Sequence, residues 1–294
     1  MKILDFDEIK NDFDKRIFEN SRADLISKLS KYPSRYVGIF RSSTPRTKLI
    51  QNITQSHEIK FGDGFEILIR KLFEKFGFES LKLNRKLNNG DTISFDQLMK
   101  KENDLLFIEQ KVRDDHDSTK KRGQFKNFKI KLDYLVANES FDSLKSYIYF
   151  IDPSLTKNKN YYASEIEKLR TEYDSSINLV YGGELFDHED MNSVWEEEIM
   201  SFLLKWREDL PEFPEINFDL DPNFTFNEIK DLSANTYEKL FNNEDIIKTI
   251  FPILFPTGET LKLLKGYFHS KSFSNDRDGK RYKKLDIKLI ELGY

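Results

Sequence analysis

Short apolar runs alternate along this chain with longer segments of helical period. The runs are four or five residues long, which suits buried strands, and they occupy 105–108, 147–151 and 177–181. Apolar residues recur every three or four positions over 6–32, 119–136, 161–173 and 189–207, which predicts helices. Strands that alternate with helices predict an α/β fold, more narrowly an α+β mixed sheet flanked by helices.

The run at 105–108 leads into a dense polar block. Side chains alternate along a strand, so Phe107, Glu109 and Lys111 share one face and a carboxylate and an ammonium emerge together. Burying both costs desolvation free energy, which a metal ion and a phosphate would compensate. The alternative is an exposed ion pair at the strand end, worth about 0–1 kcal/mol.

A second β-like run, 92–95, follows the turn at 88–91, and its residues Asp91, Ile93 and Phe95 share a face. The polar segment 100–104 predicts the turn of a hairpin whose return arm begins at Leu105. This hairpin would bring Asp91 near Glu109 and Lys111.

Asp91, followed eighteen positions later by Glu109-Gln110-Lys111, resembles the PD-(D/E)XK nuclease signature, with Gly90 where the family name has proline. The polar block at 113–124 is similar to that of type II restriction endonucleases within this superfamily. The resemblance covers about 60–135. It implies a PD-(D/E)XK nuclease-like core with helical additions at both ends.

The resemblance also implies roles for these residues. Asp91, Glu109 and Lys111 would be catalytic, and Mg²⁺ would be held by Asp91, Glu109 and the Gln110 carbonyl. Asp63 is predicted to cap a helix that precedes the hairpin, and Glu66 on that helix is the acid that would point into the active site. A surface position for Glu66 is the alternative.

The formal net charge of −4 hides strong segregation of charge. Residues 111–131 carry eight basic and three acidic side chains, and 262–288 carry nine and three. Residues 172–221 carry two basic and fifteen acidic ones. This distribution indicates a protein that binds a polyanion on one side, although any single charged run is usually a solvated face.

Double-stranded DNA is the polyanion that we predict, and three segments offer contacts. Thr44 and Pro45 begin a helix with basic residues in its first turn. This helix N-terminus could bind a phosphate, and an ordinary capped helix with solvated basic residues is an equal alternative. The loop 113–117 mixes hydrogen-bond donors and acceptors, as base recognition requires. It leads to a helix that Asp117 or Ser118 would cap. The lysines of this helix, including Lys131, would contact DNA phosphates. The alternative for this loop is a polar turn whose groups hydrogen-bond to one another.

The C-terminal tail interleaves basic and aromatic residues around an Asp276–Gly279 hairpin turn. This tail would contact DNA or form a dimer surface. The predicted DNA contacts are Arg41, Arg46, Lys48, Arg113, Asp114, Asp115, His116, Asp117, Ser118, Thr119, Lys120, Lys121, Arg122, Gln124, Lys271, Arg277, Lys280 and Arg281.

Composition excludes several classes of protein. The chain has no cysteine and four histidines, which excludes disulfides and thiolate metal sites and disfavours zinc. Its apolar runs are too short for a membrane span, and its start lacks the apolar region of a signal peptide, so we expect a cytoplasmic protein. The Leu210–Pro214 segment reads as a linker, which predicts a nuclease domain over 1–209 and a mostly helical DNA-binding or dimerisation domain over 210–294.

The sequence therefore predicts a type II restriction endonuclease that hydrolyses double-stranded DNA at specific sequences with Mg²⁺. A homodimer would match the two-fold symmetry of a palindrome, and a cognate methyltransferase would complete the restriction-modification system. Two alternatives stay open. One is a structure-directed repair or recombination nuclease of the same fold, and the other is a DNA-binding protein without catalysis.

Overall fold

The computed structural model describes residues 3–87, 89–173, 175–212, 214–273 and 276–294. Asn88 of the predicted turn and Phe213 of the predicted linker lie outside the described residues. The chain divides into two compact units, one formed by Met1–Arg16 and Phe61–Leu210 and the other by Ile17–Lys60 and Pro211–Tyr294. The second unit includes residues 17–60, which the sequence pattern had grouped with the nuclease domain.

The first unit contains a mixed five-stranded sheet in the order β1-β4-β5-β6-β7 and a separate two-stranded sheet of β2 and β3. Strands β1, β4 and β5 run antiparallel, whereas β5, β6 and β7 are parallel. The strands are β1 Glu79–Ser80, β2 Asn84–Lys86, β3 Thr92–Ser94, β4 Gln97–Lys101, β5 Asp104–Lys111, β6 Ser143–Phe150 and β7 Ser176–Tyr181. The predicted α/β class, a mixed sheet flanked by helices, is confirmed.

Helices account for most of the remaining described structure. The α-helices are α1 Phe6–Phe18, α2 Ser21–Lys31, α3 Ser34–Val37, α4 Pro45–Lys75, α5 Ser118–Asn138, α6 Lys159–Glu172, α7 Glu184–His188, α8 Ser201–Glu208, α9 Pro222–Ile229, α10 Ala234–Phe241, α11 Phe251–Leu254, α12 Glu259–Ser272 and α13 Asp276–Leu292. Wider π-helical turns occupy Trp195–Met200 and Ile246–Ile250, and a 3₁₀ turn occupies Phe218–Leu220. No described helix is long and apolar enough to cross a membrane.

The hairpin that leads to Glu109 differs from the prediction. Strand β5 pairs with β4, with Gln97 opposite Ile108 and Lys101 opposite Asp104, so the turn consists of Glu102 and Asn103. The predicted outward arm, Thr92–Ser94, pairs instead with β2 in the small sheet. The predicted pairing was wrong because both strands continue further into the polar segment 100–104 than its composition suggests.

One face of the large sheet is covered by α5 and α6. Phe107 of β5 stacks on Phe128 of α5 with ring centroids 5.1 Å apart, and Phe150 of β6 contacts Tyr162 of α6. The predicted helix over 119–136 is confirmed as α5, and Asp117 caps it by accepting hydrogen bonds from the Thr119 and Lys120 backbone amides. This packing fixes the face of β5 that carries Glu109 and Lys111 against α5.

Helix α4 reaches the sheet at Gln97, which is fully buried. The Gln97 side chain donates to the Glu66 carbonyl at 2.6 Å and accepts from the Arg70 guanidinium at 3.3 Å. The predicted helix start at Asp63 was wrong, because α4 runs without interruption from Pro45 to Lys75. Asp63 pairs instead with Arg16 at 2.6 Å.

The described part of the second unit consists of helices and connecting loops, and it encloses a core of its own. Leu25 and Leu29 of α2 pack there with Leu240, Phe268 and Leu285 of the C-terminal helices. The predicted hairpin at 276–279 was wrong, because these residues form the first turn of α13. Acidic residues suit that turn, since the helix dipole is positive at its N-terminus.

Candidate active site

Asp96 immediately precedes β4 and stands at the position facing Glu109 in the hairpin register. Gln97 pairs with Ile108, so the residue before Gln97, which is Asp96, faces the residue after Ile108, which is Glu109. The Asp96 carboxylate accepts a hydrogen bond from the Gln110 backbone amide at 2.9 Å. Two carboxylates therefore lie at the end of the hairpin, on the side occupied by α5.

Lys111 joins these two acids. Its ammonium lies 2.7 Å from Asp96 Oδ2 and 3.0 Å from Glu109 Oε1, and it donates to the Gln110 carbonyl at 2.7 Å. Burial alone would lower the pKa of Lys111, but the charges of Glu109 and Asp96 outweigh burial and raise it above the ordinary value. Lys111 is therefore a cation at neutral pH.

A second lysine, Lys131 of α5, contacts the same acids. Its ammonium donates to Glu109 Oε2 at 2.5 Å and lies 3.8 Å from Asp96 Oδ1. Lys131 is 8% exposed, so the prediction that it would meet DNA phosphates along with the other lysines of α5 was wrong. Its stem packs inward because position 131 lies near the helix face that carries Phe128 and Leu132.

Glu66 faces this cluster from α4. Burial raises the pKa of the Glu66 carboxyl to about 8, with further contributions from Asp96 and Asp63 that Lys111 and Arg70 partly offset. The surface alternative for Glu66 therefore does not describe its environment. A carboxyl with a strongly raised pKa near other acids is a frequent feature of functional sites.

Asp91, the acid predicted to complete the cluster, lies elsewhere. It is exposed in the β2–β3 turn, where its carboxylate accepts from the Asn89 side-chain amide at 2.8 Å and its own backbone amide donates to Asn89 Oδ1. Asp96 stands beside Lys111 instead. The two-residue turn at Glu102-Asn103 places Asp96 opposite Glu109, but the composition of 100–104 does not reveal that turn length.

The described residues contain no group of three or more His, Cys, Asp or Glu side chains arranged to hold a metal ion. The donors at the cluster are the Asp96 and Glu109 carboxylates and the Gln110 carbonyl. The Gln110 side chain is not among them, since it is buried on the opposite face of β5.

Asp114 was predicted to contact DNA, but it is fully buried. Its carboxylate accepts from the Asn158 backbone amide at 2.9 Å, from the Asn158 side chain at 2.8 Å and from the Tyr181 hydroxyl at 3.0 Å. Because its hydrogen-bond donors belong to the protein, the buried Asp114 side chain anchors the loop after β5 and is not available to a DNA base. The contact predicted for Asp114 was wrong.

The other predicted DNA contacts around α5 differ in their exposure and in their contacts. Gln124 accepts a hydrogen bond from Tyr162, Lys121 lies over the Tyr161 ring, and His116 is partly buried beside Asp115. Asp117 is exposed but serves as the α5 cap. The exposed residues are Arg113, Asp115, Asp117, Ser118, Thr119, Lys120 and Arg122.

The predicted contacts in the second unit lie at two places. Arg41 and Arg46 are exposed near the start of α4, and Lys48 donates to Gln51 at 3.4 Å. The others lie near or on α13, where a cavity of about 380 Å³ opens between α10 and α13. It is lined by Ala234, Asn235, Glu238, Phe241, Arg277, Lys280, Arg281 and Lys284. Lys271 contacts the Tyr267 hydroxyl at the end of α12.

Residues 78–205 match the family model described as type II restriction endonuclease, HinfI. Comparison with curated proteins gave no match, and neither did comparison with solved structures. The matched region contains Asp96, Glu109, Lys111 and Lys131, whereas Glu66 precedes it. The match covers less than half of the chain, and together with the mixed sheet and the flanking helices it supports a type II restriction endonuclease, a site-specific deoxyribonuclease of the hydrolase class.

Proposed function

We propose that this enzyme hydrolyses phosphodiester bonds of double-stranded DNA at a specific sequence, with Mg²⁺ as cofactor and with Asp96, Glu109 and Lys111 as its centre. The observation that supports this most is the contact of one ammonium with both carboxylates inside the family-matched region. With Asp96 in the place first given to Asp91, the pattern Asp96, Glu109, Lys111 still fits the PD-(D/E)XK signature.

Mg²⁺ would be held by Asp96, Glu109 and the Gln110 carbonyl. These are oxygen donors, and Mg²⁺ is usually bound by one or two carboxylates together with waters, so a site with two acids suits it. A bound divalent cation supplies charge neutralisation at the scissile phosphate and at the leaving oxygen. We therefore propose for Asp96 the catalytic role that the sequence had predicted for Asp91.

Lys111 would hold its positive charge toward the scissile phosphate and orient the attacking water. Its raised pKa keeps the ammonium protonated at neutral pH, which argues against proton acceptance by this side chain. Glu66 would complete the centre as a third carboxyl, approaching from α4. Its pKa of about 8 makes it the group of this centre that can give or take a proton near neutral pH.

DNA would be bound by the exposed residues near the start of α5, where Arg113, Lys120 and Arg122 supply cations and Asp115, Ser118 and Thr119 supply further polar groups. In the second unit, the cavity between α10 and α13 carries Arg277, Lys280, Arg281 and Lys284 at one wall. Arg41, Arg46, Lys48 and Lys271 are the other cations that we propose for phosphate contacts. Such contacts make affinity fall steeply as the salt concentration rises.

We further propose that the enzyme acts as a homodimer in the cytoplasm, beside a methyltransferase of the same specificity. Two identical subunits would present two equivalent centres to the two strands of a palindrome. Light scattering of the protein with and without DNA tests the dimer.

The decisive experiment incubates the purified protein with unmethylated plasmid and Mg²⁺. Discrete fragments support sequence-specific cleavage, and mapping their ends gives the recognition sequence. Cleavage confined to branched DNA would favour a repair or recombination nuclease, and a mobility shift without cleavage would favour a non-catalytic DNA-binding protein.

A further inference from the structure

The two carboxylates of the centre are bracketed by two ammonium groups. Lys111 contacts Asp96 Oδ2 and Glu109 Oε1, at 2.7 and 3.0 Å. Lys131 contacts the remaining oxygens, Glu109 Oε2 at 2.5 Å and Asp96 Oδ1 at 3.8 Å. Each carboxylate oxygen therefore faces an ammonium, and the formal charges of the four side chains cancel.

The position of Lys131 suits this contact. It reaches the acids from α5, its side chain is 10% exposed, and its ammonium lies 6.0 Å from the centre of the Phe95 ring. Among the described residues, its ion pairs are with Glu109 and Asp96. A buried lysine that pairs with two acids is unavailable to solvent and to an exposed phosphate at the protein surface.

We propose that Lys131 is a positioning residue that competes with the divalent cation for Glu109 and Asp96. This inference rests on the proposed function. In the cation-free protein the Lys131 ammonium supplies the positive charge that the acids require. A dication that uses Glu109 Oε2 must displace this ammonium and then lies close to two positive charges.

Competition by Lys131 couples cation binding to DNA binding. A DNA phosphate at the centre brings negative charge that offsets the two ammonium groups, so the free protein binds the dication weakly and the DNA complex binds it more tightly. By linkage, the cation increases the affinity for DNA by the same factor. Lys131 thereby restricts loading of the centre to the DNA complex.

The test measures Mn²⁺ binding to the full-length, DNA-free protein by electron paramagnetic resonance. We expect Lys131→Gln to tighten Mn²⁺ binding about tenfold or more, which corresponds to about 1.4 kcal/mol. Lys131→Arg keeps the charge and should stay within about threefold of the wild type, or roughly 0.65 kcal/mol. Lys129→Gln is the matched control, because Lys129 lies on the same helix but pairs with Glu172 and Tyr173. Unchanged or weaker Mn²⁺ binding by Lys131→Gln would overturn the proposal.

Removing Lys131 leaves the buried Glu109 and the partly buried Asp96 with one ammonium, so the variant can lose stability. Lys131→Met, which keeps the length of the stem, is the second variant, and thermal unfolding with and without Ca²⁺ is the second measurement. We expect Ca²⁺ to raise the unfolding temperature of Lys131→Gln and Lys131→Met more than that of the wild type. Equal shifts, or variants that stay unfolded in Ca²⁺, would contradict competition.

Asp96→Asn separates this inference from the proposed function on which it rests. Loss of Mn²⁺ binding in Asp96→Asn, together with unchanged binding in Lys131→Gln, leaves the proposed metal site standing and rejects the role of Lys131. Mn²⁺ binding by Asp96→Asn that equals the wild type rejects the metal site itself.

Discussion

The Asp96 carboxylate lies 2.7 Å from the Lys111 ammonium, although the two residues are fifteen positions apart in the sequence. Asp96 immediately precedes β4, and Lys111 is the last residue of β5. Two further contacts hold this arrangement: the Gln110 amide donates to Asp96, and Glu109 pairs with Lys111. A short antiparallel hairpin thus brings together the charges that the proposed reaction requires.

The first prediction concerns the charge on Lys111. We expect Lys111→Gln to lower kcat for DNA cleavage by about 10²–10³, the usual cost of removing one group that stabilises a transition state electrostatically. Single-turnover cleavage with Mg²⁺ measures this effect, and filter binding with Ca²⁺ should show a similar Kd for DNA. Lys168→Gln is the control, since Lys168 is exposed on α6 and pairs there with Glu165. A variant at position 111 that cleaves at the rate of the control would refute the role of Lys111.

The second prediction concerns the raised pKa of Glu66. In the folded protein this pKa is about 8, above the ordinary 4.5, so the folded state holds the proton more tightly than the unfolded state does. The resulting stability is fully present below pH 4.5 and is lost as the pH rises through 8. After allowance for partial exposure, the loss is on the order of 2 kcal/mol.

Urea unfolding in EDTA at pH 5 and pH 9 measures this dependence. The wild type should lose more stability between the two values than Glu66→Gln, which cannot ionise. Glu79→Gln, at an exposed position of β1, should behave like the wild type. An identical pH dependence for Glu66→Gln and the wild type would show that Glu66 titrates normally.

The third prediction concerns the buried anchor of the loop after β5. Asp114→Ala leaves the Asn158 amide groups and the Tyr181 hydroxyl without their acceptor, which should cost about 3–5 kcal/mol in the free energy of unfolding. The exposed neighbour allows a close comparison, because Asp115→Ala should change this free energy by about 0.5 kcal/mol or less. Urea denaturation of both variants gives the values. Similar midpoints for the two would contradict an anchoring role.

Part of the site could be predicted from the sequence because its signals are local. The apolar run before Glu109 and Lys111 indicates a buried strand, and strand alternation places both side chains on one face. The cap at Asp117 and the apolar spacing of α5 are equally local, and the structure confirms them.

The identity of the second acid depends on the length of a turn, which composition does not give. Polar residues fill 100–104, but the strands continue to Lys101 and Asp104, and Glu102 adopts a left-handed conformation with φ 54°. A turn of two residues instead of five moves the position opposite Glu109 to Asp96 and leaves Asp91 in another sheet.

Two other errors have the same origin, because local signals were given too much weight. Asp63 resembles a helix cap and Asp278-Gly279 resembles a hairpin turn, yet both lie within helices whose apolar faces are buried. Lys131 was misplaced for a different reason. A long side chain near the edge of an apolar stripe can turn outward or inward, and the buried acid that attracts it comes from another element.

The central claim is that Asp96, rather than Asp91, is the acid that works with Glu109 and Lys111. It is tested most directly by single-turnover cleavage of unmethylated supercoiled plasmid in Mg²⁺ by Asp96→Asn and Asp91→Asn. We expect Asp96→Asn to cleave at least about 10³-fold more slowly than the wild type, since it removes a proposed metal ligand, and Asp91→Asn to cleave at about the wild-type rate. Full cleavage by Asp96→Asn together with loss of cleavage in Asp91→Asn would contradict the account.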